Sequence, residues 1–89
     1  MKEATLTLKN RLGLHARAAA KLVHTASAFD AKVTLSRDSD EVDGKSILGL
    51  LLLAAGKGTP LLVRAEGRDE EAAIGALRDL VDRKFDEAD

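Results

Sequence analysis

The sequence predicts an α+β open-faced β-sandwich, a four-stranded antiparallel sheet with three helices on one face, in the order β-α-β-β-α-β-α. Three observations predict it. Short segments alternate polar and apolar residues, the period of a strand with one buried face. Between them lie segments with apolar residues at i, i+3, i+4 and i+7, or leucine clusters behind a capping residue. Turn residues separate every pair, with no linker, repeat or low-complexity stretch, so helices and strands share one core over residues 1–89.

The first strand is read at Thr5-Leu6-Thr7-Leu8 and is broken by Asn10-Arg11-Leu12-Gly13. From Ala16 the period lengthens. Ala19, Leu22, Val23 and Ala26 form a helix stripe, Lys21 and Thr25 take the other side, and Ala18 to Ala20 let the helix lie close on a sheet. Phe29 plugs the bottom of this helix. Lys32-Val33-Thr34-Leu35 is the second strand, Asp38-Ser39-Asp40 a turn, and Glu41-Val42-Asp43 a short third strand ended by Gly44. Ser46 occupies an N-cap position and opens a leucine-rich helix through about Ala54, stopped by Gly56-Lys57-Gly58. Pro60 to Ala65 is apolar enough for a central strand. Asp69 is placed as the cap of the last helix, with Glu70 and Glu71 suiting its first turn and Lys84 its final one. Ala73, Leu77, Leu80 and Val81 form its buried stripe, flanked by Ile74 and Phe85; Glu87-Ala88-Asp89 reads as a frayed tail.

Composition narrows the function. Two phenylalanines are the only aromatic residues apart from the histidines, so there is almost nothing to stack bases on. A formal charge of −1 argues against a nucleic-acid partner. The absence of cysteine removes disulfides and thiolate chemistry and fits a reducing cytosol. No signal-like segment opens the chain, and the apolar run Ile47 to Ala55 is about half the ~20 residues of a bilayer span, so a cytoplasmic location without membrane insertion is expected.

Within this frame one side chain stands out. His15 lies in Gly13-Leu14-His15-Ala16-Arg17, where the strand period gives way to the helical one. A helix start offers free N–H groups and a positive dipole end, which favour an anion beside the ring. Arg17 adds a planar cation suited to phosphate oxygens. Two roles are open for His15: a helix cap, or an acceptor whose phosphoryl group is held by the Ala16 and Arg17 amides and the Arg17 side chain.

Other constellations fail on geometry. Nine residues at about 100° each put His24 half a turn from His15, so the two share no metal, and no metal or cofactor site is expected. Gly44-Lys45-Ser46 resembles the tail of a P-loop, but Ser39 stands where the first glycine is required. Asp38 to Asp43 hints at a calcium loop, yet Val42 takes a ligand position and Asp43 that of the glycine. Ser46 is either a plain capping serine or a phosphorylation site that would add about −2 charge to its surface. The leucine-rich helix carries more apolar residues than one face absorbs. It either bridges two edges of the core or exposes a docking patch drawn from Ile47, Leu48, Leu51 and Leu52.

Taken together, Gly13-Leu14-His15-Ala16-Arg17, Gly44-Lys45-Ser46-Ile47, Gly56-Lys57-Gly58-Thr59 and Ala65-Glu66-Gly67-Arg68-Asp69-Glu70 resemble, in order and spacing, the HPr family. These are the phosphocarrier proteins of the bacterial phosphoenolpyruvate-dependent phosphotransferase system. The resemblance spans nearly the whole chain and implies the same β-α-β-β-α-β-α fold. It implies that His15 takes a phosphoryl group on Nδ1 from enzyme I and passes it to an EIIA-type protein. It further implies that Arg17 contacts the phosphoryl group, that Ser46 is the target of an HPr kinase/phosphorylase, and that Ile47, Leu48 and Leu51 dock partners. A monomeric carrier with a transient phosphohistidine is implied, rather than a stand-alone enzyme.

Two departures stand out: Ala18 replaces the proline of most members, and Leu12 replaces a common Asn or Ser. With Asn10-Arg11-Leu12-Gly13-Leu14-His15-Ala16-Arg17-Ala18-Ala19-Ala20, they look closest to the NPr branch, which serves the nitrogen-related system. The competing function is a regulatory adaptor switched at Ser46, with His15 idle. It predicts an acid-stable phosphate from ATP and none from phosphoenolpyruvate.

Overall fold

The computed structural model describes residues 1–87. Its elements are β1 (Lys2–Thr7), α1 (Ala16–Ser27), β2 (Lys32–Arg37), β3 (Asp40–Asp43), α2 (Ile47–Leu52), β4 (Pro60–Glu66) and α3 (Glu70–Asp82), followed by a 3₁₀ turn at Lys84–Asp86. The architecture is the open-faced sandwich expected, one antiparallel sheet in the order β1-β4-β2-β3 with the helices packed on it. β4 is central, as its apolar run required. Val63 lies opposite Ala4 of β1 on one side and Leu35 of β2 on the other.

Alternation decides which side chains turn inward. Leu6, Val33, Leu35, Leu61, Val63 and Ala65 line the covered face of the sheet. The α1 stripe is buried at Ala18, Ala19, Leu22 and Ala26, with Val23 packing at its edge. Its alanines pack into the core it shares with α2 and α3. All six apolar residues assigned to the last helix and its flank, Ala73, Ile74, Leu77, Leu80, Val81 and Phe85, are buried. Phe29 is half-buried against the same core.

Several boundaries shift. β1 begins at Lys2, since β4 supplies ladder partners as far as Ala65. α2 stops at Leu52, before the glycines, because Ala54 turns left-handed at φ 50°. The Arg37 guanidinium satisfies the freed carbonyls of Leu53 and Ala54 at 3.0 and 2.8 Å.

Asp69 precedes α3 but makes no side-chain cap bond. Its carboxylate instead accepts the amides of Asp30 and Ala31, both at 2.8 Å, tying the α1–β2 turn to α3. Those amides hold the carboxyl below its usual range, the Asp30 N–H contributing most. Glu70 supplies the local bond in its place, accepting from Gly67 N–H at 3.1 Å. Lys84 falls beyond α3, in the 3₁₀ turn. Of the expected frayed tail, Glu87 is held in place by side-chain contacts, while Ala88 and Asp89 lie outside the described residues.

Candidate functional site

The site starts from a turn that only glycine permits. Gly13 has φ +63°, and a Cβ there would stand 2.4 Å from the Ala55 carbonyl oxygen. The next residue fixes the register, Leu14 N–H donating to that same oxygen at 2.9 Å while its side chain enters the core. The chain therefore reaches α1 pressed against the segment that follows α2. His15 is the residue where extended backbone becomes helix, with φ −80° and ψ 179°.

His15 is the N-cap of α1. Its carbonyl accepts the first helical bond, from Ala19 N–H at 2.8 Å, and its Nδ1 accepts from Arg17 N–H at 3.3 Å. The capping role and the lone pair thus coincide on one atom. Ala16, Arg17 and Ala18 precede that first bond, so their amides have no carbonyl one turn back. Arg17 is exposed, and the His15 side chain retains 28% of its accessible surface.

The opposite ring nitrogen has a partner that the sequence did not reveal. His15 Nε2 lies 2.6 Å from Glu87 Oε2. The other carboxylate oxygen, Oε1, accepts from Asn10 Nδ2 at 3.1 Å, and that amide also donates to Gly13 O at 2.7 Å. Asn10 is fully buried, and its own Oδ1 has no partner. A carboxylate only accepts and Nδ1 is itself accepting, so the ring proton belongs on Nε2. Partial burial tends to raise the Glu87 pKa, but hydrogen bonds from His15 and Asn10, with the charge of Lys21, outweigh it and hold the carboxyl below its ordinary value.

Glu87 reaches the ring because the chain reverses after α3. Lys84, Phe85 and Asp86 are all left-handed, at φ 57°, 55° and 63°. Phe85 is completely buried, and Lys21 Nζ donates to its carbonyl at 2.6 Å. A buried phenylalanine two residues before a carboxylate was the one available signal. Charged neighbours masked it.

The remaining candidates separate clearly. Ser46 caps α2, its Oγ accepting from Gly49 N–H at 3.1 Å, and it stays partly accessible. The leucine-rich helix divides, with Leu50 and Leu53 in the core and Ile47, Leu48, Leu51 and Leu52 exposed at 43, 69, 37 and 73%. Leu12, 61% exposed in the loop before His15, is a further exposed apolar residue that the sequence reading did not add to the patch. His24 faces solvent on α1, in a shallow hollow with Arg17, Lys21 and Arg83. Among the described residues no group of His, Asp and Glu could hold a metal ion, and no helix is long and apolar enough to cross a membrane. Lys45, the P-loop-like lysine, is committed to the Phe29 carbonyl at 2.7 Å.

Comparisons with known proteins agree with this fold. A family profile described as the PTS HPr component phosphorylation site matches residues 2–83. A phosphocarrier protein HPr of Xylella fastidiosa is 52% identical, with 98% of each chain aligned. A phosphocarrier protein NPr of Shewanella violacea is 46% identical, over 97% of this chain and 94% of that one. Among solved structures, HPr from Thermoanaerobacter tengcongensis superposes with a TM-score of 0.95 at 47% identity, covering 98% of both chains. HPr from Bacillus anthracis gives 0.86 at 35% identity, covering 90% of this chain and 95% of that one. With sequence and backbone matched nearly end to end, this chain belongs to the HPr family, the phosphocarrier proteins of the phosphotransferase system.

Proposed function

We propose that His15 accepts a phosphoryl group on Nδ1 from phospho-enzyme I and passes it to an EIIA-type protein. The observation that carries this reading is the Nδ1 lone pair, held at the open start of α1 by the Arg17 amide. Attack on phosphorus needs that lone pair, and the tautomer fixed from the Nε2 side leaves it unprotonated. Once Nδ1 is bonded to phosphorus it no longer accepts from Arg17 N–H. Phosphate oxygens then take that donor, together with the Ala16 amide, and the exposed Arg17 guanidinium can close on them. One set of donors thus serves the empty and the loaded ring.

Partners dock, on this reading, over Ile47, Leu48, Leu51 and Leu52, where apolar side chains are left in water. Ser46 at the head of the same helix is a natural control point for an HPr kinase/phosphorylase. A phosphate there sits at the helix N-terminus but places about two negative charges on the docking surface. The protein works as a cytoplasmic monomer that meets its two partners in turn.

Incubation with enzyme I and labelled phosphoenolpyruvate tests this directly. Wild type and His24→Ala should take up acid-labile phosphate, and His15→Ala should take up none. Equal labelling of both variants, or an acid-stable product formed only from ATP, would favour the adaptor reading instead.

A further inference from the structure

We infer that Glu87 is a positioning residue for phosphoryl transfer, its carboxylate holding the ring proton on Nε2 while Nδ1 makes and breaks its bond to phosphorus. This rests on His15 being the acceptor. Three features on the page point to it.

The first is the contact itself, 2.6 Å between Nε2 and Oε2, on the ring atom that the phosphoryl group leaves untouched. The second is the support behind it. The other carboxylate oxygen is held by Asn10, a fully buried amide anchored on Gly13 O in the loop that delivers His15. Ring, loop and tail are therefore one hydrogen-bonded unit. The third is the backbone. Three consecutive left-handed residues, Lys84 to Asp86, carry a conformational cost. Burial of Phe85 and the Lys21 bond to its carbonyl offset that cost, and the result is a carboxylate delivered to the imidazole.

The chemistry balances without any outside reagent. As the Nδ1 lone pair forms the N–P bond, the bond from phosphorus to the donor atom breaks and its electron pair stays on the donor. The His15 ring becomes an imidazolium with its proton on Nε2. A carboxylate against that proton stabilises the positive ring, as an acid residue does for a histidine base in other transfer enzymes. On discharge the N–P pair returns to Nδ1, and the ring is again neutral with Nε2–H in place. Lys21, whose charge also favours the ionised carboxylate, is itself bonded to the Phe85 carbonyl at 2.6 Å.

The test uses Glu87→Ala and Glu87→Gln in the full chain, ring-labelled with ¹⁵N at histidine. Wild type should show a downfield, slowly exchanging His15 Nε2–H proton. Glu87→Gln should keep it, since an amide oxygen still accepts, and Glu87→Ala should lose it. Phosphoryl uptake at limiting enzyme I should fall about tenfold in both, because both lose the negative charge. Melting curves identify any loss due to unfolding. Uptake at or above the wild-type rate in Glu87→Gln, or an unchanged Nε2–H signal in Glu87→Ala, overturns the inference. If wild type and His15→Ala label equally, the acceptor assignment itself falls, and the two failures are distinct.

Discussion

Asn10 and Glu87, 77 positions apart in the chain, are joined by a 3.1 Å hydrogen bond that closes the loop before α1 onto the end of the described chain. Asn10 is also the only buried polar side chain among the described residues. Its amide bonds two acceptors, Gly13 O and Glu87 Oε1, whereas its own oxygen bonds none. Removing the donor therefore strands two oxygens. Asn10→Ala should cost about 1–3 kcal/mol in urea unfolding. Asn10→Asp should cost more, because it sets a carboxylate against two acceptors. A smaller loss for the aspartate than for the alanine would contradict the assigned amide orientation.

Gly13 tests the approach to the site. Alanine there meets a left-handed φ and a backbone oxygen that cannot yield, and these two penalties add. Gly13→Ala should destabilise the fold by roughly 2–4 kcal/mol. It should also slow phosphoryl uptake at temperatures where the protein is still folded, since Leu14 loses its register on Ala55. Gly56 is the control, for a Cβ there meets nothing, and Gly56→Ala should melt close to wild type.

The sequence carried the fold well because local signals and tertiary packing agree here. The alternation in β2 and the α3 stripe lie on the faces they indicated, the apolar β4 is central, and Gly13 and Ser46 have the local roles their neighbours suggested. What escaped depended on partners distant in sequence. Asp69 looks like a cap because it precedes a helix, yet two amides almost forty residues away claim its carboxylate. Glu87 looks like tail because nothing periodic surrounds it, and its value lies in a ring 72 positions earlier. The end of α2 came earlier than its glycines suggested, where Ala54 turns left-handed and Arg37, distant in sequence, binds the freed carbonyls.

The exposed half of α2 should separate binding from stability. Leu48 and Leu52 are 69 and 73% exposed, whereas Leu50 on the same short helix is wholly buried. Leu48→Asp and Leu52→Asp should change unfolding free energy by no more than about 0.5 kcal/mol. Both should weaken association with enzyme I in titration calorimetry by tenfold or more, roughly 1.4 kcal/mol. Leu50→Asp should fail to fold, as it buries a charge without a partner. A large fall in melting temperature for Leu48→Asp would mean that the helix serves the core on both sides.

Acid stability should reveal Asp69. Its carboxyl titrates lower in the folded protein than in the unfolded chain, first because the Asp30 amide bonds the charged form, and then because of Ala31. A group depressed in this way contributes its full stabilisation above the unfolded value, near 3.8 for this carboxyl. That contribution disappears as the pH falls through the lower folded value. Asp69→Asn should therefore melt lower than wild type at neutral pH, because it loses a charged acceptor for two amides. The gap should narrow steadily below about pH 4 as the wild-type carboxylate takes up its proton. Melting temperatures measured from pH 7 down to pH 2 check this. A gap that is constant, or that widens towards acid, would show that the α1–β2 turn does not depend on the charge of this carboxylate.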